Sequence, residues 1–232
     1  MSDTTATRAA PSAAATQRTV HLFVFDGFAD WEAAFAIAGI NQPDFQREPG
    51  SWRVQTVSIG SGLVRSLGGL PVLPDARLAG LMPENSAMLI LPGGAGWDEG
   101  QHLAAARKAA DFLAAGVPVA AICGATAGLA RVGALNERRH TSNALAYLHG
   151  VKDEGYAGSD RYEDAPAFTD GPLITAAGMA PLEFARAIFA KLGIYADDAL
   201  EAWYQLYKTG QSEYFARLQT AGAVAAGATA AA

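Results

Sequence analysis

Apolar positions along the chain alternate between two periods. Thr19–Asp26 (TVHLFVFD) is a short run of β-branched and aromatic side chains and predicts a strand. From Asp30 to Asn41 the apolar residues fall at 31, 34, 35, 37 and 38, which predicts a helix with Asp30 as its cap. Trp52–Ile59 is a second strand, and Val64–Leu73, turning around Gly68-Gly69, a hairpin. Ala87–Leu91 (AMLIL) is a continuous apolar strand ending in Pro92-Gly93-Gly94. Glu99–Ala115 follows as a helix, Val117–Ile122 (VPVAAI) as another buried strand, and Ala125–Val132 as a helix. A strand over Arg138–Asn143 and a hairpin over Phe168–Ala176, turning at Thr169-Asp170-Gly171, come next. Helices over Pro181–Leu192 and Asp197–Tyr207 complete the pattern, Pro181 suiting a first turn.

Strands that alternate with helices of 10–15 residues indicate an α/β fold, a mainly parallel sheet covered by helices on both faces. Ligands of such sheets sit at the carboxyl ends of the strands, near a topological switch. No internal repeat or linker interrupts the pattern, so one domain is expected over residues 19–218, its last part a helical extension carrying Trp203, Tyr204, Tyr207 and Tyr214. Residues 1–18 read as a disordered tail with no secretory h-region; Arg8, Arg18 and the serines only faintly suggest a transit peptide. Residues 219–232, Ala/Gly-rich and uncharged, read as a flexible tail. The uncharged run Phe112–Ala130 is broken by Gly116, Pro118, Gly124 and Gly128, and divides into helix end, strand, turn and new helix rather than a membrane span.

Composition narrows the function. With 232 residues, half of them apolar, the chain can build a substantial core. A formal net charge of −6 lacks the basic footprint of a nucleic-acid binder. One cysteine makes no internal disulfide and fits a reducing, cytoplasmic compartment. The four histidines and the cysteine show no metal-ligand spacing, so no metal is expected.

The chemistry centres on Cys123, between the strand VPVAAI and the helix beginning GATAGLA. Ala121, Gly124 and Ala125 provide the small neighbours that a nucleophile elbow requires. The other reading is a buried apolar filler, the common fate of a lone cysteine. A helix N-terminus favours thiolate by about 0.3–2 kcal/mol, whereas lowering a thiol pKa by three units takes roughly 4 kcal/mol. A second contributor is therefore needed. Glu32 in FDGFADWE either faces solvent at a helix start or turns into the cleft and hydrogen-bonds the sulfur. The glycines of LPGG either make a plain tight turn or bring a backbone N–H, from Gly93 or Gly94, into an oxyanion hole with that of Gly124. GGAGWDEG places Glu99 where a dinucleotide fingerprint needs its third glycine, so no such cofactor is expected.

In order and spacing, FDGFADWE, GGLPVLPD, ILPGG and AICGATAGLARVG resemble the DJ-1/PfpI superfamily of class I glutamine-amidotransferase-like proteins, over Thr19 to Gly193. The resemblance implies a flavodoxin-like three-layer sandwich, commonly a homodimer, with Cys123 as the elbow cysteine. Carried over by position, Glu32 is the acidic partner whose protonated carboxyl hydrogen-bonds the thiolate, and Gly94 and Gly124 supply the oxyanion-hole amides. The chain also departs from its relatives. No histidine is followed by Glu two positions on, as in true glutamine amidotransferases, and Gly124 stands where the protease-named branch has histidine. Other relatives place a histidine twenty residues after the cysteine; here Asn143 occupies that position and His140 lies three earlier. Positions three apart on a strand face opposite sides, so His140 substitutes as a base only if the strand bends. His102 and Trp97 are further pocket candidates.

The expected function is a cofactor-independent cysteine enzyme acting on small reactive carbonyls or their adducts, glyoxalase- or deglycase-like. The alternatives are an amidase- or isonitrile-hydratase-like hydrolase using the same parts, a stress protein whose cysteine is oxidised without turnover, and a dimeric binding module built on the C-terminal helices. The expected partners are a small electrophile and a second copy of the chain, with neither nucleic acid nor membrane.

Overall fold

The computed structural model describes residues 17–150 and 155–229. Along the chain run β1 (Arg18–Phe23), α1 (Asp30–Asn41), β2 (Trp52–Ser58), β3 (Val64–Arg65), β4 (Pro71–Val72), β5 (Ala76–Arg77) and β6 (Met88–Leu91). There follow α2 (Leu103–Ala114), β7 (Val119–Ile122), α3 (Gly124–Arg131), α4 (Leu145–Gly150), β8 (Ala167–Asp170), β9 (Leu173–Ala176), α5 (Pro181–Leu192), α6 (Asp197–Thr209) and α7 (Ser212–Thr229). Seven strands form one sheet in the order β5-β2-β1-β6-β7-β9-β8, parallel except for β8. Val20 pairs with Val54 on one side and Met88 on the other, and Ala120 lies between Ile90 and Ile174.

The central strands are apolar on both faces because helices cover both: every residue of β6 and β7 is buried. Right-handed crossovers place α1, leading from β1 to β2, and α2, leading the opposite way from β6 to β7, on opposite faces. α5 packs on α1, and α3 packs on α2. Small residues permit the close approach of α1 and α5; a Cβ on Gly39 would lie 2.4 Å from Cζ of Phe189. The sheet order reverses between β1 and β6, so the loops after β1, β6 and β7 gather at the switch point. This is the α/β, flavodoxin-like architecture.

Several boundaries differ from expectation. Ala29 occupies the cap position of α1 without a side-chain bond; Asp30 is already helical, and its carboxylate accepts the Gly68 N–H at 2.6 Å, tying α1 to the β3–β4 hairpin. α2 begins at Leu103 because His102 adopts φ +60°, a left-handed conformation that interrupts the helix. No strand forms over Arg138–Asn143: a single bridge joins His140 to Tyr162, and the Thr141 N–H goes instead to Oγ1 of Thr175. The second hairpin pairs Asp170 with Leu173 and turns at Gly171-Pro172, later than expected. At the C-terminus α7 runs through most of the expected flexible tail, while residues 230–232 and most of the N-terminal tail lie outside the described residues. The aromatic extension packs on the body: Trp203 is buried with its ring edge-on to Phe189 at 4.9 Å. Among the described residues no helix is long and apolar enough to cross a membrane.

Candidate active site

At the end of β7 the backbone turns sharply through Cys123, with φ +57° and ψ −125°, a combination a side-chain-bearing residue rarely adopts. The turn is held from both sides. The Cys123 N–H donates to the Ala176 carbonyl at 3.0 Å, and the Cys123 carbonyl accepts the N–H of Thr126 at 3.1 Å and its hydroxyl at 2.6 Å. Glycines clear the surroundings: a Cβ on Gly93 would sit 2.7 Å from Cβ of Cys123, and one on Gly178 would sit 2.8 Å from its sulfur. Cys123 is thus a half-buried residue on an elbow, not a sealed core thiol.

Glu32, in the first turn of α1, is turned inward and only 1% exposed. Its Oε2 accepts the Gly93 N–H at 2.5 Å, and the carboxyl is hydrogen-bonded to Cys123. Burial raises the carboxyl from 4.5 to about 7, against the pull of the Gly93 N–H and the thiol. The thiol moves the same way: burial first, then the charge of Glu32, push it up to about 11, while Asn143 and the Gly124 N–H pull it down. The resemblance implies a thiolate, and burial and the Glu32 charge both act against one here. A helix end supplies about 0.3–2 kcal/mol, too little to offset desolvation beside an ionised carboxylate, so the pair keeps its proton on sulfur when Glu32 is charged.

The remaining sequence candidates separate clearly. Asn143 reaches the sulfur, its Nδ2 donating to Sγ at 3.5 Å while its Oδ1 accepts the Gly178 N–H at 2.9 Å. Gly94 and Gly124 meet across the cleft floor; a Cβ on Gly124 would lie 2.9 Å from the Gly94 carbonyl oxygen. His140 does not join them. It is wholly buried, its Nδ1–H donates to the Arg138 carbonyl at 2.7 Å, and its Nε2 accepts the Tyr156 hydroxyl at 2.9 Å. With no strand over 138–143, alternation does not govern which residue points at the sulfur. His102 lies tilted against Phe25, with ring centroids 4.1 Å apart, and packs edge-on to Trp97, and burial pulls its pKa down. Trp97 is fully buried beneath the elbow helix; its Nε1–H donates to the Pro92 carbonyl at 2.9 Å, and a Cβ on Gly128 would lie 2.3 Å from its ring. It is a packing residue rather than a cleft wall.

Sequence reasoning missed Tyr147, whose hydroxyl donates to Asp98 and whose ionisation is disfavoured by burial, by Asp98 and by the charge of Cys123. Tyr147 lies four residues after Asn143, in the first turn of α4, and that closeness in sequence is the signal that links it to the site. Ser142 was also missed; its Oγ shares a hydrogen bond with Oγ1 of Thr126, behind the elbow. Among the described residues no group of three His, Cys, Asp or Glu side chains is arranged to hold a metal ion.

Residues 18–191 match the DJ-1/PfpI family. The chain is 43% identical over 202 residues to a Bacillus subtilis protein named YoaZ, an uncharacterized protease, covering 87% of this chain and 96% of that one. A thiJ/pfpI family protein from Bacillus anthracis superposes with a TM-score of 0.84 at 38% identity, over 90% of this chain and 99% of that one. A DJ-1 superfamily protein from Agrobacterium tumefaciens gives a TM-score of 0.74 at 32% identity, over 84% and 99% respectively.

Proposed function

The chain belongs to the DJ-1/PfpI family, and from that premise we propose that it is a cysteine-nucleophile enzyme acting on small reactive carbonyl compounds or their adducts, glyoxalase- or deglycase-like. One observation carries this reading: the buried carboxyl of Glu32 and the sulfur of Cys123, a cysteine on a strained elbow, face the same point beside Gly178.

The reaction needs no part beyond these groups and water. Sγ of Cys123 adds to the aldehyde carbon of a 2-oxoaldehyde, the carbonyl π pair moves to oxygen, and the thiol proton passes to the Glu32 carboxylate. Gly94 and Gly124 N–H groups support the oxyanion, which takes the proton back from Glu32 to give a hemithioacetal. Glu32 then removes the proton on C1, the C–H pair moving between C1 and C2 as the C2 carbonyl becomes an enolate oxygen. It returns that proton to C2 while the C1 hydroxyl proton passes to the C2 oxygen. C1 is oxidised and C2 reduced within one molecule, giving a thioester that water hydrolyses to a 2-hydroxy acid and free thiol. Thiolate rather than thiol is the nucleophile, so attack requires the sulfur proton to pass to the Glu32 carboxylate as the C–S bond forms.

The names of the relatives invite comparison with peptide hydrolysis, which must also protonate a leaving amine. Among the described residues the other side chain hydrogen-bonded to the sulfur is Asn143, whose amide does not titrate, so on this reading the Glu32 carboxyl carries the proton traffic. That suits addition and isomerisation, which have no amine to expel. It also disfavours pure redox sensing, since oxidation of cysteine follows thiolate character. Methylglyoxal offered to wild type and Cys123→Ser decides the matter. The wild type is expected to form many equivalents of lactate, and the variant none above background. Clean peroxide oxidation of Cys123 in a protein with no turnover overturns the reading.

A further inference from the structure

Far along α1 from Glu32, a cavity of about 190 Å³ opens between α1, α6 and α7, and rings of Phe35, Phe45, Trp203, Tyr207 and Phe215 wall it with Asp44 at its edge. The rings stand at angles to one another rather than stacked. Phe35 is edge-on to Tyr207 at 5.2 Å and to Trp203 at 6.2 Å, and Trp203 is tilted to Tyr207 at 5.2 Å. Trp203 is buried, whereas Tyr207 and Phe215 are 55% and 47% exposed, so an apolar rim leads down to an indole. Phe45 lines the cavity with φ +67°, an uncommon conformation for a bulky residue, and a Cβ on Gly222 of α7 would lie 2.6 Å from its ring.

The charged and dipolar groups that line the cavity itself are negative: the Asp44 carboxylate, which also accepts the Gln42 side-chain amide at 2.8 Å, and a helix end. Ala38, Gly39 and Gln42, at the C-terminal end of α1, also line the cavity. That helix end is the negative pole of the dipole, and its last turn contains no basic residue. Gln46 satisfies the carbonyls of Gly39, Ile40 and Gln42 through its Nε2 but brings no charge, and its buried Oε1 has no partner among the described residues. The nearby cation in sequence, Arg47, donates elsewhere, to the Tyr195 carbonyl and to Asp197. Aromatic faces, a carboxylate and a helix C-terminus all attract positive charge, and the apolar walls disfavour a strongly hydrated ion.

We propose that this cavity is a binding site for a small organic cation of the quaternary-ammonium type, distinct from the Cys123 cleft. A trimethylammonium head presents methyl groups to the rings while spreading its charge over them, which a compact, strongly hydrated ammonium does poorly. The site stands or falls independently of the carbonyl chemistry at Cys123.

The test is a calorimetric titration of the full chain with choline and, separately, with 3,3-dimethylbutan-1-ol, its uncharged isostere. Saturable choline binding is expected, with the isostere at least about tenfold weaker. Phe215→Ala and Asp44→Asn, both at partly exposed positions, are each expected to weaken choline about fivefold. Unchanged alkylation kinetics of Cys123 in both variants verify that they fold. Equal binding of choline and the isostere would show an apolar void with no preference for charge. That result, an absence of choline binding, or wild-type affinity in both variants overturns the proposal.

Discussion

At Cys123 the surroundings pull in opposite directions: the Gly124 and Asn143 donors favour thiolate, whereas burial and the Glu32 carboxylate favour the thiol. The position of Glu32 therefore does two things at once. On the proposed reading Glu32 is the base beside the sulfur, and its charge opposes ionisation of the thiol. Glu32→Gln separates these effects. Removing the carboxylate should cut turnover by about 10²–10⁴-fold, the usual contribution of a positioned base. The same change should move the pH midpoint of Cys123 alkylation downward, because the repelling charge is gone. A midpoint that instead rises would mean that a protonated Glu32 had been stabilising a thiolate, the arrangement the resemblance implied. The family resemblance pointed to Asn143, and the sequence singled out Cys123 and Glu32 as candidates from their places at a strand-to-helix turn and a first helical turn. It left open which way Glu32 faced, since a carboxylate in a first helical turn suits solvent as well as a cleft.

The elements around the elbow are fitted by deletion of side chains. α3 starts at Gly124 and carries Gly128 one turn on, and both glycines lie against Trp97. The Trp97 ring is wholly buried, so it has little room to yield. Gly128→Ala would gain helix propensity, roughly 1 kcal/mol at best, but its methyl group would sit 2.3 Å from two ring carbons. Overpacking of this kind costs about 1–3 kcal/mol or more. The expected result is a net loss of stability in urea unfolding, with Cys123 reactivity altered as the elbow helix shifts. A Gly128→Ala protein as stable as wild type would mean that Trp97 moves freely. α1 shows the same economy of volume. Its alanines and Gly39 let α5 approach, while its two ends serve different corners of the molecule, Glu32 at the cleft and Gln42 at the aromatic cavity.

For the whole molecule, a buried carboxyl with a raised pKa makes stability depend on pH. Between 4.5 and about 7 the folded chain keeps a proton on Glu32 that the unfolded chain has released. The contribution is thus fully present below pH 4.5 and is lost as pH rises through about 7. At about 1.4 kcal/mol per unit, the full span amounts to about 3 kcal/mol. Thermal or urea unfolding across this window should show wild-type stability declining relative to Glu32→Gln. The variant should be the more stable protein at pH 8, with the gap closing toward pH 4.5. A gap that stays constant with pH would show that Glu32 titrates normally.

What the sequence determined by itself was whatever local chemistry encodes. The central strands were legible because side chains buried on two faces must be apolar throughout, and the elbow because a sharp strand-to-helix turn tolerates only small neighbours. α5 matched its expected limits, since Pro181 opens it and Gly193 closes it with φ +65°. Only the tertiary structure decided what depends on partners distant along the chain. The stretch 138–143 looks like a strand, but Thr175 and Arg161 take its backbone donors first. His140 looks like a base, but Arg138 and Tyr156 hold it inside the core. The thiol looks activated at a helix end, yet its ionisation depends on how much water and charge the rest of the fold leaves around it. Desolvation is a property of the assembled cleft, and no pattern along the chain encodes it.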